Sequence, residues 1–361
     1  MFRHLRAVLA VGAVSLGIAH AQGGAPENLR FGWQSATPTS TFYVAFATQA
    51  FENEGFKLKL ESFNDNTPEL EALVARQIDL AAVAPAPTVQ AISFGAPLKI
   101  ISAVEYGFTD KQGHKWSAVN FVARKDSGIK AIQDLKGKRV AVFGLSSNWY
   151  LAFRDRLREA GIDPKDITFL SMPYPQMEGA LVHNEVDAAI MTSIGAYHAA
   201  ERIPLNVVMT ADEITGIALD MSQVIAARAD WLKEHEGEAV RFLMAMLKTR
   251  LAIQEDVEQN NAEKIKKITA ESLKYDQPTN EAFYQLRVSS AGHELDFINS
   301  LDLPRQTFVA YGDMLTSAGM LRGKPAATFE QLTDTSYLKK AYQQLGWKWD
   351  DSKLGKPAAG Q

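Results

Sequence analysis

Ala72-Leu73-Val74-Ala75-Arg76-Gln77-Ile78-Asp79 and Ala180-Leu181-Val182-His183-Asn184-Glu185-Val186-Asp187 are two renderings of one pattern, each followed by a small apolar run. In both copies an apolar helix closes near Val74 or Val182 and a turn follows. Ile78 or Val186 then opens a short buried strand that ends at Ala84 or Met191. Two copies are too few for a solenoid, so the repetition predicts a pair of similar α/β lobes. Paired lobes leave a cleft between them where a ligand is enclosed.

The pattern extends outward from each copy. Leu29 to Trp33 reads as a strand, Phe42 to Glu54 as a helix stopped by Gly55, and Lys57 to Glu61 as a half-buried strand. A helix over Pro68 to Ala75 leads into the first repeat strand, a helix near Thr88 to Phe94 follows, and Leu98 to Val104 is a further buried strand. The second half repeats this order, with strands at Lys138 to Val142 and Ile167 to Leu170 around a helix from Trp149 to Ala160. Strands alternating with helices predict a mostly parallel sheet in each lobe. Ala118 to Ala123 and Gln223 to Ala227 read as paired strands that cross between lobes as a hinge. Tyr106 to Trp116 is a polar insertion before the first crossing. From Ala229 the pattern is helical, with Glu238 to Glu255 amphipathic and expected to pack on the first lobe.

Residues 1–21 carry Arg3 and Arg6, an apolar stretch of 13 residues from Ala7 to Ala19, and Ala19-His20-Ala21. This reads as a cleavable leader that sends the chain to the periplasm, since the stretch is shorter than the ~20 residues a membrane span needs. The chain has no cysteine, which excludes both a lipid-modified cysteine after the leader and a disulfide. Net charge is −4, and removing Arg3 and Arg6 makes it more negative, so nucleic acid is not an expected partner.

The run Ile132 to Val142, the two repeats ending in Asp79 and Asp187, Ala84-Pro85-Ala86-Pro87, and Arg228-Ala229-Asp230-Trp231 resemble the periplasmic solute-binding proteins of nitrate, sulfonate and taurine ABC transporters. The resemblance covers about 28 to 346 and rests on the order and spacing of these motifs. It implies a type II periplasmic-binding fold: two α/β lobes joined by two crossing strands. Lobe one would hold 28–118 plus 226–346, lobe two 119–225, and 347–361 a flexible tail. Members usually carry glycine where this chain has Arg76 and Asn184. Arginine tolerates a left-handed turn poorly, so the first turn is expected to be built differently. Taurine-binding relatives would place carboxylates where this chain offers Asn120 and Gln223, which argues against a taurine-like zwitterion.

In parallel α/β sheets ligands bind outside the carboxyl ends of the strands. That rule selects Ser35, Thr39, Ser40 and Thr41 after the first strand, and Pro85 and Ala86 after the first repeat strand. In lobe two it selects Ser146, Ser147, Asn148 and Trp149, Pro173 and Gln176, and Thr192. Asn120 and Ser222 stand at the crossing strands. The hydroxyls and first-turn N–H groups at helix starts suit an anion; each hydroxyl alone is equally an ordinary helix cap. Trp33, Phe42, Tyr43, Tyr106, Trp149 and Tyr174 lie in or beside these loops; each alone reads more often as core, and together they would form an apolar wall for an organic ligand. These loops hold no lysine or arginine, so an anion would be held by dipoles, while Glu105 and Asp220 read first as solvated carboxylates and otherwise as groups that favour an amine.

Enzyme readings fare worse. Gly144-Leu145-Ser146-Ser147-Asn148 lacks the second glycine of a nucleophile elbow, and the histidines show no zinc spacing. No phosphate-loop or dinucleotide motif is present, so neither cofactor nor metal is expected. The expected function is non-enzymatic: capture of a small organic anion, sulfonate-like or an aromatic acid, by a monomer that delivers it to the membrane permease of an ABC transporter. The alternatives are a periplasmic ligand sensor, or a pyrimidine-type binder or synthase-like enzyme.

Overall fold

The computed structural model describes residues 26–34, 40–106, 108–109, 115–116, 119–145, 147–216, 221–260, 263–264, 267–268, 271 and 301–349. The leader read over 1–21 lies outside them. Strands β1 (Glu27–Trp33), β2 (Phe56–Ser62), β3 (Leu80–Val83) and β4 (Leu98–Tyr106) join β12 (Met221–Arg228) in one five-stranded sheet, ordered β2-β1-β3-β12-β4. A short hairpin, β5 (Phe108–Thr109) with β6 (Lys115–Trp116), falls in the predicted insertion. The second five-stranded sheet holds β7 (Val119–Arg124), β8 (Arg139–Val142), β9 (Thr168–Ser171), β10 (Ala188–Thr192) and β11 (Leu205–Thr210), ordered β11-β7-β10-β8-β9.

The two sheets share one plan. β1 runs parallel to β2 and β3, and β8 runs parallel to β9 and β10. In each sheet one antiparallel strand is then inserted, β12 between β3 and β4, and β7 between β10 and β11. The inserted strands are exchanged: β7 follows β4 in the chain but enters the second sheet, and β12 follows β11 but enters the first. The crossing strands therefore do not pair with each other as expected. Each has neighbours on both sides within its own sheet, which satisfies its backbone N–H and C=O groups.

The decisive repeat is built twice from the same bonds. Helix α3 (Asn66–Val74) ends with Gln77 N–H donating to Ala72 O, and its counterpart ends with Glu185 N–H donating to Ala180 O. Arg76 and Asn184 take the left-handed conformation, φ 63° and 58°. This is the six-to-one closure of a helix by a left-handed residue. The expectation of a different first turn is thus corrected: Arg76 adopts the usual turn despite its Cβ, and its guanidinium pairs with Asp230 at 2.7 Å. The closing aspartate of each repeat then clasps the neighbouring strand. Asp79 accepts from the backbone N, Nε and Nη2 of Arg30, and Asp187 accepts from the same three groups of Arg139.

The expected helix Phe42–Glu54 is two helices, α1 (Ser40–Ala47) and α2 (Ala50–Asn53), broken at Gln49 with φ 55°. Thr48 sits at the break and turns its hydroxyl back to Val44 O, 2.7 Å, a bond that bends and weakens helices. Helix α4 (Pro85–Ser93) starts at its proline, so Pro85 and Pro87 lie inside its first turn, ahead of the start expected near Thr88. In the second half come α5 (Asn148–Glu159), α6 (Tyr174–Val182), α7 (Ser193–Ala200) and α8 (Ala211–Thr215), followed by α9 (Ala229–Glu234). Helix α10 (Glu236–Asn260) packs against α1 and α2 of the first sheet's layer, as predicted. Its Phe242 ring lies 5.3 Å from Phe31 and 4.8 Å from Phe51.

Three more helices follow, α11 (Arg305–Ser317), α12 (Phe329–Leu332) and α13 (Ser336–Gln344). Helix α11 touches both α4 and α5 and so bridges the two lobes. Trp347 and Trp349, expected in the flexible tail, pack edge-on against Tyr342 at 5.7 and 5.2 Å. No helix of the described residues is long and apolar enough to cross a membrane.

Candidate functional site

Because β1 and β3 are parallel and β12 is antiparallel, the end of β1, the end of β3 and the start of β12 lie at one edge of the first sheet. The second sheet gathers the ends of β8, β9 and β10 with the start of β7 in the same way. The crossings leave from these edges, so the carboxyl ends of the two sheets face each other. One contact measures the approach. A Cβ built on Gly144, after β8, would come 3.1 Å from Oδ2 of Asp65, after β2, and Gly144 holds φ +74°.

The predicted site residues divide. Ser35, Thr39 and Ser146 lie outside the described residues, as does Asp220. Ser40 and Asn148 open α1 and α5, Ser222 is the second residue of β12, and Glu105 pairs with Gln223 across the β4–β12 ladder. Ser147 and Thr192 are buried helix caps. Ser147 Oγ accepts from Tyr150 N–H at 3.3 Å and donates to Gly144 O, and Thr192 Oγ1 accepts from Gly195 N–H at 3.2 Å. Their hydroxyls are committed to the fold, at the helix starts that follow β8 and β10. Asn120 stands beside this point, opposite Met191 on one side and Thr210 on the other.

Other expectations change more. Thr41 is fully buried, and its Oγ1 accepts from Arg250 Nη1 of α10 at 2.8 Å. Thr88, where a helix was expected to start, lies inside α4 with its hydroxyl donating to Ala84 O. Pro85 and Ala86 are buried; the prolines at the first and third positions of α4 lack N–H, so this helix start offers an anion fewer donors than α5 does. Pro173 precedes Tyr174, whose ring stacks on Phe143 at 4.5 Å and 10°. Gln176 is exposed one turn into α6. Phe42, Trp149 and Tyr174 are core residues, at 1, 6 and 6% exposure, and burial pushes the Tyr174 hydroxyl pKa up. Gln223 donates from Nε2 to Ala82 O, 2.7 Å, which ties the start of β12 to β3.

Two groups escaped the sequence reading. Arg250 brings a buried guanidinium to the first turn of α1, where it donates to Thr41. Glu69 of α3 is fully buried, accepts from Gln34 Nε2 at 2.9 Å, and leaves Oε1 without a hydrogen-bond partner. Burial pushes its carboxyl up to about 8; the Gln34 bond works against that shift and the Asp65 charge adds to it. Neither was legible, because the partners are 209 and 35 residues away along the chain. Among the described residues no group of three or more His, Cys, Asp or Glu is placed to hold a metal ion.

Known proteins share this architecture. The alkanesulfonate-binding protein SsuA from Xanthomonas axonopodis pv. citri, bound to MOPS, superposes with a TM-score of 0.66 at 19% identity, covering 86% of this chain and 99% of its own. The periplasmic nitrate-binding protein NrtA from Synechocystis PCC 6803 superposes at 0.67 with 15% identity, covering 93% of this chain and 94% of its own. By sequence, a putative aliphatic sulfonates-binding protein of Bacillus subtilis (strain 168) is 26% identical over 258 residues, 69% of this chain and 73% of the relative. All three are named as binding proteins, not as enzymes. A family model described as NMT1/THI5 like matches residues 37–259, a span that takes in α1 and ends within α10. With that match spanning most of both sheets and the repeat that relates them, the chain belongs to the NMT1/THI5-like family.

Proposed function

We propose that this chain is the extracytoplasmic solute-binding component of an ABC importer, enclosing a small organic anion between its lobes and delivering it to a membrane permease. The observation that carries the reading is the apposition of the two carboxyl-end edges, measured at Asp65 and Gly144. The curated relative named for aliphatic sulfonates supports the ligand class. The leader over 1–21 supports export.

The chemistry favours a singly charged acid. First-turn N–H groups of α5 and α7 lie at one side of the cleft, and the buried charge of Arg250 lies behind the start of α1 on the other. Asp65 places a carboxylate at the junction, which disfavours a dianion such as phosphate more than a sulfonate monoanion. Closure expels water and strengthens these contacts, and a permease that reads the closed form would respond to the loaded population.

A thermal-shift panel on residues 22–361 tests this with alkyl and aryl sulfonates, taurine, nitrate, aromatic carboxylates and pyrimidines. A ligand at a hundredfold its Kd stabilises the folded state by about 2.7 kcal/mol, read as a rise of several degrees. Selective stabilisation by sulfonates is the expected result. Stabilisation by neutral pyrimidines alone would sink the anion reading.

A further inference from the structure

Three junctions at the cleft edge of the first sheet are tied by one chain of hydrogen bonds. Gln34, directly after β1, donates from Nε2 to Asn66 Oδ1 at 2.8 Å and to Glu69 Oε2 at 2.9 Å. Asn66 opens α3, and its Oδ1 also accepts the N–H of Ala84 at 3.0 Å, where β3 passes into α4. All four residues are buried, Glu69 completely. The chain thus runs Glu69, Gln34, Asn66, Ala84, and sets how the end of β1 and the start of α4 stand to each other.

Glu69 sits at the end of this chain with one oxygen bare. Oε1 has no hydrogen-bond partner and lies over Gly32, where a Cβ would come 3.4 Å from it, 3.3 Å from the Phe63 ring and 2.5 Å from Ile78 Cδ1. A buried carboxylate without donors for its second oxygen is costly, whereas a protonated acid lacks only one weak bond. We propose that Glu69 is a positioning residue of the ligand cleft: as a neutral acid it holds Gln34, Asn66 and Ala84 in the binding geometry, and its ionisation releases them. The assignment rests on the cleft being the ligand site, as argued above.

The surroundings agree. Burial raises the carboxyl pKa to about 8, and Asp65, at the N-cap of α3, is the one charge among the described residues that acts on it. From β1 it meets Gly32 and Gln34, and beside them stand the apolar Phe63 and Ile78. Ionisation leaves a charge among apolar groups, and relief requires the first turn of α3 to lift from β1 so that water reaches Oε1. That movement pulls Asn66 from Ala84. Ligand affinity is then full below about pH 8 and falls above it.

The test measures the Kd of hexane-1-sulfonate, which does not titrate in this range, from pH 6.5 to 9.5 for wild type, Glu69→Gln and Glu69→Ala. Glu69→Gln keeps the shape and the acceptor oxygen without the charge. Wild type is expected to lose at least fivefold in affinity above pH 8, Glu69→Gln to match it at pH 7 and stay flat, and Glu69→Ala to bind several-fold more weakly throughout. Superimposable wild-type and Glu69→Gln profiles would overturn the proposal. If wild type binds hexane-1-sulfonate at no pH, the sulfonate reading fails on its own. The exchange protection of the Ala84 amide then decides. A fivefold loss above pH 8 in wild type but not in Glu69→Gln sustains the positioning role, and equal protection in both ends it.

Discussion

Glu69 couples folding to proton uptake, with a sign opposite to that of Asp187, which clasps Arg139. Below pH 4.5 its carboxyl is protonated both folded and unfolded and has no effect; between 4.5 and about 8 only the folded state keeps the proton, so stability falls as pH rises. Above 8 the loss is complete, about 5 kcal/mol as an upper bound. Glu69→Gln is therefore expected to gain on wild type progressively from pH 4.5 to 8 and then hold a constant lead, as read by urea unfolding at several pH values. Parallel curves would show that Glu69 does not titrate in this window. Asp187 runs the other way: the Arg139 guanidinium holds its pKa below the usual carboxylate value, so its contribution is present at neutral pH and lost on acidification. At this scale the sequence showed the two aspartates of the repeat but not their partners. Arg30 and Arg139 lie 49 and 48 residues upstream, and only strand pairing brings them close.

Elements were far more legible than contacts. Period, turn glycines and helix-start residues located most strands of both sheets and the helices between them to within a few residues, because those signals are local, while β11, α7 and α8 were not placed. The misses came where a local rule had a competitor. Thr48 bonded back to its own helix and split α1 from α2, and Pro85 began a helix that was expected only near Thr88. At the cleft, the hydroxyls were found correctly as helix starts, but Ser147, Thr192 and Thr41 are committed to the fold. Ser147→Ala should accordingly cost about 1 kcal/mol in stability through loss of the α5 cap. It should also weaken a bound sulfonate severalfold, because the first-turn N–H groups of α5 lose their anchor. Urea unfolding and calorimetric titration of the same variant check both; a stability loss with unchanged affinity would remove the α5 start from the site.

For the whole molecule, the approach of the lobes is read at Gly144 and bridged by α11, where Tyr311 accepts the N–H of Met221 at the start of β12. Gly144→Val places a branched side chain at φ +74° against Asp65 Oδ2 and should hold the cleft ajar. The expected outcome is a larger radius of gyration by small-angle scattering with sulfonate present and an affinity at least tenfold lower; an unchanged radius and Kd would show that closure does not pass through this contact. The exchanged strands carry a further consequence, for the order of assembly. The second sheet draws on one continuous stretch, Val119 to Thr210, and is complete as soon as that stretch is available. The first sheet cannot close until Met221–Arg228 slots between β3 and β4, which stay separated by a gap one strand wide until then. A chain emerging from its N-terminus thus makes its first half early and finishes it late, with the second half ready to serve as the surface on which the first is completed.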